Sequence, residues 1–116
     1  NTCKIMANDI IPDIKMGNIG TQLKCTMTKP DPNNANARIA VDISSNNTIK
    51  IELESPRGKR TLLNATLTNT GTDGKMYHTD STGVFDRTGR WRVRGVVTFN
   101  SGFKFQGTWT GFFVGE

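Results

Sequence analysis

The residues in this chain best suited to binding chemistry are three arginines at alternate positions, Arg90, Arg92 and Arg94. Alternate residues of a β-strand point to the same face of the sheet, so we expect three guanidinium groups about 7 Å apart on one side. A row of like charges repels itself unless something negative lies beside it. The row therefore predicts a binding face for an acidic ligand. The alternative is that Glu52 and Glu54 on another strand neutralise it.

Further basic residues extend this pattern. Arg87 precedes the row, and Lys104 is expected on the neighbouring strand. A second basic cluster occupies a turn and consists of Arg57, Lys59 and Arg60. Residues 57–116 hold nine basic and four acidic side chains, whereas residues 1–56 hold six of each, so the second half carries the whole net charge of +5. This asymmetry favours an acidic protein or glycan as partner, and a solvated basic face is the alternative.

No pattern in the sequence indicates catalysis. The single histidine, His78, lies in a turn-rich stretch, and neither a nucleophile elbow, a zinc-protease motif nor a phosphate-binding glycine loop is present. We predict a protein that is not an enzyme and that uses no cofactor and no metal ion. No run of 18 apolar residues occurs, so no membrane span is expected.

The two cysteines, Cys3 and Cys25, have no histidine or third cysteine nearby, so a zinc site is not expected. We predict that they form a disulfide, with two buried free thiols as the alternative. A disulfide implies passage through an oxidising compartment and a secreted or cell-surface protein. Closing this loop would stabilise the fold by about 3 kcal/mol.

Apolar residues fall on alternate positions in several short runs separated by turn clusters, a pattern typical of strands with one buried face. The runs with this alternation are 23–27, 39–43, 49–53, 63–67, 91–99 and 103–113. No helical periodicity persists. The sequence predicts a single all-β domain over residues 1–116, an immunoglobulin-like sandwich of seven to eight strands.

The last two runs predict a hairpin with a three-residue turn at 100–102. Matching parity in both strands predicts three core-side pairs: Phe99–Phe103, Val97–Phe105 and Val93–Trp109. The same parity places Phe113 in the core and leaves Phe112 exposed. Because few aromatic rings then remain for stacking on bases, nucleic acid is not expected as a partner.

Two segments carry a resemblance to a known family. The opening stretch, from Cys3-Lys4-Ile5 to Ile14-Lys15-Met16-Gly17-Asn18-Ile19-Gly20, is similar to the first strand of chaperone–usher pilus (fimbrial) subunits. The stretch Gly102-Phe103-Lys104-Phe105-Gln106-Gly107-Thr108-Trp109-Thr110 resembles their closing strand. Between them, residues 55–64 read as a strand-turn-strand of that fold.

The resemblance implies a sandwich completed by a donor strand from another pilus subunit, and a role in adhesion or virulence at a bacterial surface. It implies that Arg90, Arg92 and Arg94 bind the host ligand. One departure concerns the donor extension, since only Asn1 and Thr2 precede Cys3.

The alternative function is a small secreted inhibitor of an enzyme that acts through loop 70–88. Occupied glycans at the sequons Asn46-Asn47-Thr48 or Asn64-Ala65-Thr66 would exclude the bacterial reading.

Overall fold

The computed structural model describes residues 2–6, 14–44, 48–81 and 83–116, and this part of the chain contains no helix. In chain order the strands are β1 (Thr2–Met6), β2 (Ile14–Lys15), β3 (Gln22–Thr26), β4 (Thr28–Asp31), β5 (Asn34–Ala40), β6 (Thr48–Glu54), β7 (Arg60–Asn64), β8 (Thr66–Leu67), β9 (Lys75–Thr79), β10 (Gly89–Thr98), β11 (Lys104–Gln106) and β12 (Thr110–Gly115). The prediction of an all-β fold is confirmed. The strands outnumber those predicted because several are only two or three residues long.

Ten of these strands form the two sheets of a sandwich. One sheet has the order β1-β3-β9-β8, and the other has the order β2-β12-β10-β6-β7, with β11 also pairing with β10. These orders correspond to the A-B-E-D and G-F-C-C′ sheets of an immunoglobulin variable-type domain, and β2 adds parallel to β12. The immunoglobulin-like arrangement thus follows from the chain's own strands, with β12 lying directly beside β10.

The core lies between the sheets and consists of the inward-pointing residues of both. Leu23 and Met76 come from the first sheet, while Leu53 and Val93 come from the second, and all four are fully buried. Phe85, on the connection before β10, is equally buried and packs edge-on against Trp91 at 5.3 Å between ring centroids. Buried aromatic and aliphatic area of this kind is the main stabilising contribution to a small sandwich.

Trp91 makes a hydrogen bond similar to that of the tyrosine corner found in immunoglobulin-like domains. Its indole Nε1 donates a hydrogen bond to the carbonyl oxygen of Arg87 at 3.1 Å, four residues upstream. In antibody domains a tyrosine near the start of strand F makes the equivalent bond, two residues before a cysteine. The position two residues after Trp91 is occupied by Val93 and not by a cysteine. The disulfide that joins the two sheets of antibody domains therefore cannot form at this position.

The predicted disulfide is confirmed, and it lies within one sheet. Cys3 on β1 and Cys25 on β3 face each other in the antiparallel register, with their Cα atoms 4.0 Å apart. It ties β1, an edge strand, to the interior of the sheet. A disulfide of this kind is compatible with an oxidising or secreted location.

The hairpin at the end of the chain follows the predicted register only near its turn. Val97 pairs with Phe105 as predicted. At the turn, the Phe99 N–H donates to the Phe103 carbonyl oxygen, and the Phe99 carbonyl oxygen accepts the Gly102 N–H. Further along, Val93 pairs with Thr110 and not with Trp109. One extra residue between β11 and β12 shifts the register by one, and such a slip moves every following side chain to the opposite face.

Four aromatic predictions are wrong: those for Trp109, Phe112 and Phe113 because of this register shift, and that for Phe103 because it lies beside the turn. Phe113 is 64% exposed, Trp109 leaves the core, and Phe103, predicted on the core side, is 62% exposed and stacks on Phe99. Phe112, predicted to be exposed, instead packs edge-on against Phe85 at 5.7 Å.

The 28–44 region also departs from the simple alternation. β4 and β5 form a separate two-stranded hairpin, so the predicted turn cluster at 29–34 is mostly strand. The predicted strand at 39–43 ends at Ala40. Val41 and Ile43 continue as irregular backbone whose N–H groups donate to Met27 and Gly71 carbonyls, both at 2.9 Å. Among the described residues, no helix is long and apolar enough to cross a membrane.

Candidate functional site

The arginine row lies on the outward side of the β12-β10-β6-β7 sheet. Register places Arg92 opposite Glu54, which faces Arg60, and places Arg94 opposite Glu52, which faces Leu62. We call this surface the outer face. Its members are Lys50, Glu52, Glu54, Arg60, Leu62, Asn64, Arg90, Arg92, Arg94, Lys104, Trp109 and Phe113.

Two of the three arginines are paired with glutamates on the neighbouring strand. Arg94 contacts the Glu52 carboxylate at 2.6 Å, and the two side chains are only 13% and 12% exposed. Arg92 donates to Glu54 through Nη2 at 2.7 Å and through Nε at 3.0 Å. The neutralisation that the sequence offered as an alternative therefore occurs at these two positions. Arg90, the third, has no carboxylate partner among the described residues.

Trp109 is the residue of this surface that sequence reasoning missed. The register shift places its indole ring beneath the guanidinium groups of Arg94 and Arg92, at 4.2 and 4.5 Å from the ring centroid. Arg60 lies 5.5 Å away. Each arginine is held by a carboxylate on one side and by the indole ring on the other, so the guanidinium groups are fixed in place.

The outer face keeps an excess of positive charge after this pairing. It carries six cationic side chains and two carboxylates. Lys50 donates to the Asn64 amide oxygen and not to a carboxylate, and Lys104 has no ion pair within the described ranges. Leu62 and Phe113 are 56% and 64% exposed at opposite sides of this charged area. Fixed cations beside exposed apolar groups are typical of protein-binding surfaces.

Glu54 is the carboxylate of the outer face that forms ion pairs with two arginines, Arg60 and Arg92. Hydrogen bonds from Arg60 at 2.9 Å and from Arg92 lower the pKa of its carboxyl from the ordinary value of 4.5, and partial burial opposes them. Because its pKa is lower in the folded state, ionised Glu54 stabilises the fold above pH 4.5, and this contribution is lost as the pH falls through the folded-state pKa.

Glu54→Gln is therefore expected to lower the urea midpoint of unfolding at neutral pH, and the difference from wild type should narrow at acidic pH as the wild-type carboxyl takes up its proton. Urea titrations of both proteins at the two pH values test this expectation. An equal loss at both pH values would mean that shape, and not charge, makes Glu54 important.

The second basic cluster is divided by the fold. Arg60 belongs to the outer face through its bond to Glu54, while Arg57 and Lys59 lie on the tight turn between β6 and β7. Arg87 lies near them on the loop before β10 and contacts Asp86 at 3.5 Å. Arg87 thus borders the turn at the end of the sandwich, whereas the sequence grouped it with the arginine row.

A lysine cluster on the opposite sheet also escaped the sequence analysis. Lys4 and Lys24 face each other in the β1–β3 register, and Lys75 lies diagonally across on β9. All three point away from the core. The three lysines lie on three different strands, so the cluster could be predicted only from the order of the strands, which the sequence pattern does not reveal.

The remaining candidates have structural roles. His78 lies within 2.7 Å of the Asn64 carbonyl oxygen, so its Nδ1 carries the hydrogen and donates. Residues 70–88, predicted as one loop, contain β9, and within this stretch Phe85 and Asp80 are buried. The Asp80 carboxylate accepts the Val84 N–H at 2.9 Å. In the described ranges, no group of three histidine, cysteine or acidic side chains could hold a metal ion.

Comparison with known proteins gives no match, since no family model, no curated protein and no solved structure matches this chain. The site is therefore interpreted from its own geometry.

Proposed function

We propose that this chain is a secreted, non-catalytic binding module that attaches to an acidic host protein or glycan through the outer face. The observation that carries the proposal is Trp109 lying beneath Arg92 and Arg94 on an exposed sheet surface. Tryptophan and arginine are the residue types that contribute most at protein interfaces. A surface whose side chains are already fixed loses little conformational entropy when it binds.

Charge supports an acidic ligand over a neutral one. Arg92 and Arg94 are neutralised by glutamates, so we assign them to orient and support Trp109. Arg90 and Lys104 are exposed and lack carboxylate partners among the described residues, which makes them the cations available for direct contact. Long-range attraction from this excess charge would speed association and weaken with salt.

Assembly into a pilus belongs to the same proposal and rests on the family resemblance of the opening and closing segments. Since β12 already lies beside β10, an incoming strand would pair with an edge strand of either sheet. Within the described residues the edge strands are β1 and β8 in one sheet and β2, β7 and the short β11 in the other.

Binding to immobilised heparin and to a matrix protein at several salt concentrations tests the adhesive role. An Arg90→Ser, Lys104→Ser variant is expected to elute from heparin at clearly lower salt than wild type, with a salt dependence reduced by about two ionic contacts. The matched control is Lys4→Ser, Lys24→Ser, which removes the same charge from the opposite sheet and should elute close to wild type.

Trp109→Phe provides a second variant because it preserves an aromatic ring while reducing the area beneath the arginines. A several-fold loss of affinity at unchanged net charge is expected. If both charge variants weaken binding equally, attraction is non-specific and the outer face is not the site. Loss in the lysine control alone would move the site to the other sheet.

A further inference from the structure

A groove lies at one end of the sandwich, apart from the outer face. It runs between the turn at residues 55–59 and the loop at residues 83–87, and its volume is about 370 Å³. The polar side chains that line it are Ser55, Arg57, Lys59, Thr61, Asp86 and Arg87. This volume is within the range of small-molecule sites.

The charges in the groove are unbalanced. Three cations share it with one carboxylate, Asp86, whose contact with Arg87 is long at 3.5 Å and exposed to solvent. Arg57 and Lys59 have no carboxylate within 4.0 Å in the described part of the chain. Cations brought together without a counter-charge are favourable for a ligand that supplies one.

Both walls of the groove are fixed by hydrogen bonds. In the turn, Ser55 donates its N–H to the Lys59 carbonyl at 2.9 Å, and the Ser55 hydroxyl accepts the Lys59 N–H at 3.2 Å. In the loop, Asp86 donates its N–H to Val84 at 3.0 Å, and Trp91 holds the Arg87 carbonyl. The cations are therefore displayed from a preorganised backbone, which reduces the entropy lost on binding.

We propose that this groove binds an acidic monosaccharide unit of the uronic or sialic acid class. The cations would hold the sugar carboxylate, the Asp86 carboxylate would accept hydrogen bonds from ring hydroxyls, and the Thr61 hydroxyl would either donate to them or accept from them. Val84, partly buried at the groove surface, offers an apolar contact for the ring C–H groups. A groove with this mixture of groups suits a hydroxylated anion better than a purely ionic ligand.

The site can be tested by NMR titration with N-acetylneuraminic acid and glucuronic acid, using glucose and sodium acetate as controls. The Trp91 indole N–H is a local reporter because it is bonded to Arg87. A saturable shift is expected with at least one sugar acid at about millimolar concentrations, and a much smaller one with either control.

Arg57→Gln and Lys59→Gln should each weaken this binding by about tenfold. The matched control Lys24→Gln removes one charge from the opposite sheet and should leave it unchanged, and the spectra of all variants report their folding. The proposal would be overturned by an absence of saturation with both acids, by an equal response to acetate, or by full binding in both groove variants. Because outer-face variants leave the groove intact, failure of one site does not imply failure of the other.

Discussion

Arg94→Ala is expected to lower the free energy of unfolding by about 2 to 3 kcal/mol. The Glu52 side chain is 12% exposed, and its ion pair in the described structure is with Arg94. Removing the arginine leaves a largely buried carboxylate without a counter-charge, which costs far more than the loss of an exposed salt bridge. The contact with the Trp109 ring is lost as well.

Urea unfolding of Arg94→Ala, Glu52→Gln and the double variant measures this contribution. The double variant should lose less than the sum of the single variants, because no uncompensated charge remains. Arg90→Ala is the matched control on the same strand and should change stability by less than about 0.5 kcal/mol. If Arg94→Ala behaves like Arg90→Ala, the pair is an ordinary surface salt bridge and the arginines are not held in place by it.

Removal of the disulfide is expected to have an effect of similar size. Replacing Cys3 and Cys25 by alanine should lower the free energy of unfolding by about 3 kcal/mol, since the unfolded chain regains the freedom of a closed 22-residue segment. The strand most affected is β1, whose neighbour in the sheet is β3. The outer face belongs to the other sheet, so heparin binding of the folded fraction should persist.

Urea unfolding of the alanine variant, beside wild type with and without reductant, checks this value. Reduced wild type and the alanine variant should agree closely. A loss below about 1 kcal/mol would contradict the stabilising role of the disulfide.

The strands that alternate regularly were predictable from sequence because burial on one face imposes a period of two. Leu23 and Cys25 on β3, and Ile51 and Leu53 on β6, are buried as their spacing predicts. The disulfide was predictable from the even cysteine count. Strand order was not, because it depends on pairings distant in sequence, and the lysine cluster formed by those pairings was missed for this reason.

Trp109 is the clearest case in which the alternation of apolar residues predicts the wrong face of the sheet. Gly107, Thr108 and Trp109 lie between β11 and β12, and one extra residue there changes the face of everything that follows. Glycine and threonine at this point are compatible with either register. In the register that brings Trp109 to the arginines, Phe112 packs against Phe85, a contact distant in sequence that the alternation of apolar residues does not reveal.

The most direct test of the outer face is an NMR titration of the intact protein with a heparin oligosaccharide, following the backbone amide signals and the indole N–H signals of its two tryptophans. Trp109 reports on the outer face and Trp91 on the groove at the end of the sandwich. Binding at the outer face predicts a saturable shift of the Trp109 signal that weakens with salt and is reduced in Arg90→Ser, Lys104→Ser. A stationary Trp109 signal, with shifts confined to Lys4, Lys24 and Lys75, would contradict this assignment.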